Sequence, residues 1–362
     1  MTGAARPPAL FVVPEAGAPS GGHTYNRRIA DVLGGEGAPD APRGPGRPVR
    51  TVTVPGSWPR PGPLGAGALS TVLGGAPDGA CVLVDGLVAC GVPEVVLPHA
   101  GRLRLHVLVH LPLADESGLS AREARDLDAR EGAVLRCGVT VVATSAWAAR
   151  RLAAHHGLAE AGVPVEVVRP GVDTAPLARG SGFEEVPGRV PRLVCVASLT
   201  PRKGHDLLLR ALACLVELPW ECVCAGPGSP PPLPAPLAER VRFTGPVVGA
   251  ELEGVYASAD LSVLSSRAET YGMVVTEALA RGVPVVATEV GGVPEALGRA
   301  PDGRVPGLLV PSRDAAALER ALRDWLTDPD LRASLRDAAR LRRTDLAGWP
   351  ESAREMARVL GL

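Results

Sequence analysis

The feature that most constrains this chain is a series of short, unbroken apolar runs, each closed by turn residues and followed by a helix-length amphipathic stretch. The runs include ALFVVPEAG, RTVTVPG, ACVLVDG, RLHVLVHLP, GVTVVATS and PVEVVRPG before residue 171. RLVCVASL, WECVCAGPG, RVRFTG, DLSVLSS, VPVVATEV and GLLVP follow after residue 191. Continuous Val/Leu runs, rather than alternating apolar and polar positions, mark strands covered on both faces. Strands of that kind alternating with helices specify parallel α/β sheets. Residues 171–191 lose the periodicity and read as a linker, so the pattern divides in two. The expectation is two Rossmann-like domains, 1–175 and 190–345, with a ligand cleft at the carboxyl ends of their strands. A last amphipathic helix covers about 350–362.

Composition fits this reading. A chain of 362 residues exceeds one ordinary core, and with 3% aromatics its cores must be filled by Val, Leu and Ala. Net charge is −1, and a division after residue 175 leaves 16 Arg against 16 acids before it and 22 basic residues against 23 acids after it. Neither half attracts polyanions, which argues against nucleic-acid partners and against an anionic membrane surface. The seven cysteines lack metal-ligand spacing and read as buried small hydrophobes of a reducing cytosol. His155 and His156 read as an exposed helix end. The five-residue apolar run near the N-terminus is too short for a secretory core, and no stretch is long enough to span a bilayer. A cytoplasmic location is expected.

One residue stands out by composition. Of 38 basic side chains, 37 are arginine and only Lys203, in TPRKGHDLLL, is lysine. A compact ammonium on a flexible stem reaches a crowded phosphate oxygen that a broad guanidinium does not. The stretch 265–295 is richer still. Glu269 and Glu277 are separated by seven residues, about 12 Å along a helix if all are helical. Carboxylates accept paired hydroxyl protons, and the amides of Thr270, Tyr271 and Gly272 open the helix where a phosphate would be favoured. Gly291 and Gly292 make a second turn that permits close backbone approach.

The string E-T-Y-G-x-x-x-x-E-A-L-A-x-G-x-P-V-V-A-T-x-x-G-G-x-P-E resembles the nucleotide-sugar signature of family 4 retaining glycosyltransferases of the actinobacterial type. TPRKGHDLLLRAL, FTGPV at 243–247, PSGGHTYNRRIADVL, VHLP and VRPGVD resemble further segments of that family. The resemblance implies a GT-B fold with the C-terminal helix crossing back to the first domain, and no metal or other cofactor. It implies that Lys203 contacts the donor diphosphate, Glu269 the sugar hydroxyls and Glu277 the ribose. Val247 falls in the base-pocket turn, and Gly21 and Gly22 in the glycine loop that faces the pyrophosphate. His110 falls beside the reacting region of the transferred sugar. Tyr25, Asn26 and Asp85 are candidate acceptor contacts.

The chain departs from the pattern at one place. The family's arginine before the lysine is replaced by Ala197–Ser198, which leaves Arg202 or Arg267 to supply the second phosphate charge. The implied reaction moves a sugar from a nucleoside-diphosphate sugar to a small-molecule or glycan acceptor with retained configuration. The acceptor's proton passes to the leaving phosphate oxygen. A sugar-nucleotide epimerase, a phosphorylase and a non-catalytic partner of the same fold are the alternatives. The first-domain loops carry no motif that names the acceptor, and no feature specifies an oligomeric state.

Overall fold

The computed structural model describes residues 8–15, 20–34 and 49–362. The first seven residues, and with them part of the N-terminal reading above, lie outside the described residues. The chain divides into two compact units. Unit 1 runs to Gly171 and takes back Gly348–Leu362, and unit 2 is Val172–Ala347.

Unit 1 holds strands β1 (Ala9–Pro14), β2 (Val49–Val54), β3 (Cys81–Asp85), β4 (Arg104–Val109), β5 (Thr140–Ala143) and β6 (Val165–Val167). They form one sheet in the order β2-β1-β3-β4-β5-β6, with every pairing parallel. Five helices matter to the argument: α1 (Gly21–Leu33), α2 (Gly62–Gly75), α3 (Gly86–Gly91), α4 (Ala121–Leu135) and α5 (Ala146–His156). Helix α1 begins at Ser20, whose hydroxyl accepts from the His23 amide and satisfies a donor that would otherwise be left open. Val82, Val84, Val107 and Val141 are fully buried, as strands covered on both faces require.

Unit 2 holds β7 (Arg192–Val196), β8 (Glu221–Ala225), β9 (Val241–Gly245), β10 (Leu261–Leu264), β11 (Val285–Thr288) and β12 (Gly307–Val310). The order is β12-β11-β10-β7-β8-β9, again parallel throughout. Counted from β9 this is the 3-2-1-4-5-6 order of a doubly wound nucleotide-binding sheet. Helices α6 (His205–Ala213), α7 (Ala250–Ala257), α8 (Met273–Ala280), α9 (Val293–Leu297), α10 (Ala315–Thr327) and α11 (Pro329–Arg342) accompany it. Helix α12 (Trp349–Leu360) belongs to unit 1, where Trp349, Met356 and Leu360 are buried.

Strand order fixes where ligands can bind. Connections leave in opposite directions at the β1/β3 neighbours of unit 1 and at the β7/β10 neighbours of unit 2. The carboxyl ends of those strands therefore border open crevices. The segments there are Gly21–Gly22 after β1, Asp85 after β3, Lys203 after β7 and Glu269 after β10. Residues 171–191 hold neither helix nor strand, yet they are not a free linker. The amides of Ala178 and Arg179 donate to the carbonyls of Arg281 and Ala257, and Ala175 is buried.

Candidate functional site

In unit 2 two loops are pressed together at the β7/β10 crevice. Lys203 ends a single 3-10 turn, Pro201–Lys203, and Gly204 follows with φ 68°. A Cβ on Gly204 would lie 2.1 Å from the Ser265 carbonyl oxygen, so only glycine lets the lysine loop approach the loop after β10. Ser265 Oγ donates to the Gly204 carbonyl at 3.0 Å, and Thr288 Oγ1 donates to the Ser266 carbonyl at 2.5 Å. The two loops are thereby locked from both sides.

That packing brings Lys203 Nζ to 2.5 Å from Glu269 Oε1, and Ser266 Oγ donates to the same oxygen at 2.6 Å. Arg202 Nη1 lies 3.8 Å from Glu269 Oε2. Glu269 is 8% exposed. Burial pushes its carboxyl up, but Lys203, Ser266 and Arg202 together hold it below the ordinary glutamate range. A lysine and a glutamate 66 positions apart thus form one ion-paired cluster, and the phosphate-contact and sugar-contact residues of the resemblance are adjacent.

The remaining candidates of this unit sort clearly. Arg202 donates to the Ala268 carbonyl at 3.3 Å, and its buried Nε has no hydrogen-bond partner among the described residues. Arg267 is engaged elsewhere: its guanidinium bonds Asp206 Oδ2 at 2.6 Å and the Pro201 carbonyl at 2.5 Å. Of the two arginines expected to supply the second charge, only Arg202 lies beside Glu269. The helix after Glu269 starts later than expected, because Gly272 at φ 98° precedes its first residue, Met273. Glu277 therefore stands one turn into α8, not two. The Tyr271 side chain is buried in the same core cluster as Leu264, Val275 and Val293, and the expectation for this residue concerned its amide. The Gly292 amide donates to the Glu269 carbonyl at 3.3 Å, so this turn braces the Glu269 loop. Val247 follows β9, half-buried against the same core as Tyr271.

Glu277 accepts from the Tyr256 hydroxyl at 2.8 Å. Burial raises its carboxyl above the usual range despite this bond and the nearby Arg281. Arg281 itself lies over the Tyr256 ring, 4.6 Å from its centroid. Ser266 and Tyr256 are the partners that sequence reasoning missed. Ser266 stood three residues before the quoted signature, within the stretch 265–295, whereas Tyr256, 21 positions before Glu277, carried no local signal.

In unit 1, His110 follows β4, Asp85 ends β3, and Tyr25 and Asn26 lie on α1. His110 Nε2 is 2.8 Å from Asn26 Oδ1, and Asn26 Nδ2 donates to Asp85 Oδ2 at 2.5 Å. Asp85 Oδ1 accepts from the Leu87 amide at 2.8 Å and so caps α3. Asn26 is 5% and Asp85 1% exposed, so their polar atoms face each other and not an acceptor. Asn26 and Asp85, expected as acceptor contacts, are engaged in internal hydrogen bonds. Tyr25, expected in the same role, is buried too, with its hydroxyl on the Val168 carbonyl at 3.0 Å and its ring between His110 and Trp349. Gly21 and Gly22 are the first residues of α1, and a Cβ on Gly22 would lie 3.1 Å from the His110 ring. The second glycine makes room for the histidine.

Outside these clusters, His155 is exposed as expected but His156 is not. Its Nε2 lies 2.9 Å from Glu131 Oε1, with both residues buried. Asp128, His155 and His156 bring one potential ligand atom each within 4.8 Å of one another. The Arg136 guanidinium lies in the same place, bonded to the His156 carbonyl at 3.3 Å. All seven cysteines are unbridged, and Cys222 and Cys224 share one buried face with their sulfurs 4.0 Å apart. Among the described residues, no helix is long and apolar enough to cross a membrane.

Two nucleotide-binding-type sheets, with an ion-paired Lys–Glu cluster at the switch point of the second, define the two-domain GT-B class. Residues 190–328 match the family model for glycosyl transferases group 1. The chain is 34% identical over 225 residues to the D-inositol 3-phosphate glycosyltransferase of Salinispora arenicola, covering 54% of this chain and 49% of the relative. The enzyme of the same name from Kineococcus radiotolerans is 37% identical over 216 residues, covering 52% and 49%. The chain thus spans about half the length of the curated relatives it matches. Among solved structures, sucrose-phosphate synthase from Thermosynechococcus elongatus aligns with TM-score 0.72 at 21% identity, over 97% of this chain and 98% of that one. Anabaena HepE in complex with UDP and glucose aligns with TM-score 0.68 at 18% identity, over 98% and 99%. These likenesses carry the fold over the whole described chain.

Proposed function

We propose that this protein is a retaining glycosyltransferase that moves a sugar from a nucleoside-diphosphate sugar to a small-molecule or glycan acceptor. The carrying observation is the Lys203–Glu269 pair, 2.5 Å apart at the β7/β10 switch point with Ser266 and Arg202 beside it. On this reading the donor diphosphate takes Lys203 from Glu269, and the released carboxylate accepts sugar hydroxyl protons. Arg202, with its unpartnered Nε, supplies the charge that the missing upstream arginine would give. Glu277, steadied by Tyr256, takes the ribose, and the turn at Val247 takes the base. His110 of unit 1 serves the reacting region of the sugar. The match of unit 2 to the family supports a sugar-nucleotide donor, and the UDP complexes of HepE favour the uridine class for the first test.

In the reaction the bond from the anomeric carbon to the diphosphate oxygen breaks. That oxygen receives the proton of the acceptor hydroxyl, whose oxygen bonds the anomeric carbon on the same face. A fixed ammonium and guanidinium stabilise the growing charge most in the transition state. This reading assigns that charge to side chains and names no cofactor. A cytoplasmic location is part of it, in keeping with seven unbridged cysteines.

The test is a thermal-shift screen with UDP-, GDP- and ADP-sugars, followed by product mass with candidate acceptors. Polyol phosphates come first, because the curated relatives are named for one. A donor that stabilises the protein and yields a glycosylated product with retained configuration is expected. Epimerised donor sugar without transfer would overturn the reading in favour of an epimerase.

A further inference from the structure

Three groups buried or half-buried at the β1/β3 switch point form a chain with only one consistent arrangement of protons. An ionised carboxylate can only accept, so Asp85 takes the amide NH2 end of Asn26, 2.5 Å away. That leaves Asn26 Oδ1, also an acceptor, facing His110 Nε2 at 2.8 Å. The ring nitrogen must therefore carry the proton. Asp85 cannot turn away, because its other oxygen holds the Leu87 amide that opens α3. Asn26 is held in turn by α1, where it is 5% exposed. The His110 ring is also confined on its flanks, by Gly22 on one side and by Tyr25 edge-on at 5.1 Å.

We infer that Asn26 and Asp85 are positioning residues that fix His110 in its Nε2–H tautomer and fix the ring plane. The inference rests on the proposed role of His110 at the transferred sugar. A second partner holding a functional imidazole in one tautomer is a recurrent device, and its loss typically costs about 10–100-fold. The Asp85 carboxylate oxygen that holds Asn26 also lies 3.5 Å from His110 Nε2, so this ring nitrogen faces two acceptors.

The experiment reads the tautomer itself. Protein labelled with 15N-histidine is examined by long-range proton–nitrogen correlation, with the His110 signals assigned by their loss in His110→Gln. The expected parent pattern is protonated Nε2 and unprotonated Nδ1. In Asn26→Leu the ring is expected to lose the single-tautomer pattern, and kcat to fall about 10–100-fold with little change in donor KM. The exchange variant N26D/D85N rebuilds the chain with amide and carboxylate in each other's places. The amide now at position 85 still accepts from the Leu87 N–H and donates to the carboxylate now at position 26, which accepts from Nε2–H. This variant is expected to restore the single tautomer. A parent ring protonated at Nδ1, or an N26L ring still fixed at Nε2–H, overturns the inference, as does an exchange variant that folds without restoring the pattern. Should the tautomers behave as expected while no sugar donor is turned over by any form, the positioning stands and the transferase reading fails.

Discussion

Replacing Lys203 by Met tests the central cluster most directly. The substitution removes an ammonium 2.5 Å from Glu269 Oε1 and strands a carboxylate that is 8% exposed. Losing one member of a buried pair costs about 3–5 kcal/mol, because the other charge is left without its partner. Here Ser266 still donates and Arg202 remains 3.8 Å away, which places the cost at the lower end, about 3 kcal/mol. The pH dependence gives the sign. In the parent, burial acts to raise the Glu269 carboxyl but Lys203 leads a set of partners that lowers it below the ordinary value. Its contribution to stability is therefore present above the unfolded pKa and is lost as pH falls through the lowered folded value. In the variant burial prevails, the folded value rises, and the penalty lifts as pH falls through it.

The assay compares denaturant midpoints of the parent, K203M, E269Q and K203M/E269Q at about pH 7, well above the ordinary glutamate value, and at about pH 4.5, close to it. K203M should be the least stable at neutral pH, should approach the parent at the acid pH, and should be rescued by adding E269Q, which removes the stranded charge. Lys203→Arg keeps the charge, so its midpoint should stay within about 1 kcal/mol of the parent while transfer falls about 10²-fold or more. A K203M midpoint equal to the parent's at neutral pH, or a penalty independent of pH, refutes the electrostatic account. Parental turnover in K203R refutes the requirement for an ammonium.

Two further outcomes are expected. Gly204→Ala, at φ 68° with its Cβ 2.1 Å from the Ser265 carbonyl, should cost more than about 3 kcal/mol or yield no soluble protein. Gly245→Ala, at φ 75° in open space, should cost only about 1–2 kcal/mol, and equal losses would show that strain alone decides. Tyr256→Phe removes the hydrogen bond that favours ionised Glu277, whose carboxyl burial already raises. The pH below which UDP affinity declines should therefore move up, as titration calorimetry from about pH 5 to 8 would show; an unmoved midpoint excludes Glu277 as the ionised ribose acceptor.

The apolar runs specified both sheets, whereas Gly21 and Gly22, expected in a loop, form the first residues of α1. Lys203 and Glu269 were legible because their residue types, a solitary ammonium and a carboxylate within a dense signature, suit only a few chemistries. The functions of Asn26, Asp85 and Tyr25 were not legible. The same polar atoms serve a ligand or a neighbouring side chain equally well, and the choice depends on burial that only the packed sheet determines. Arg267 shows the same limit from the other side. Its charge was visible, but its capture by Asp206, 61 positions away, is a product of loop packing. The late start of α8 followed from Gly272 at positive φ, a backbone state that the letter G permits without requiring.

The path of the chain has a consequence for synthesis. A Cβ on Gly171 would lie 2.4 Å from the Trp349 amide nitrogen within unit 1, and in unit 2 the Val172 amide donates to the Ala347 carbonyl at 3.0 Å. Unit 2 is thus an insertion whose two ends are neighbours, and every residue it needs is joined to the chain before α12 is made. Unit 1 is begun first but cannot bury Tyr25 against Trp349 until that helix arrives. The half translated earlier therefore waits, open along one helix, for its closing segment.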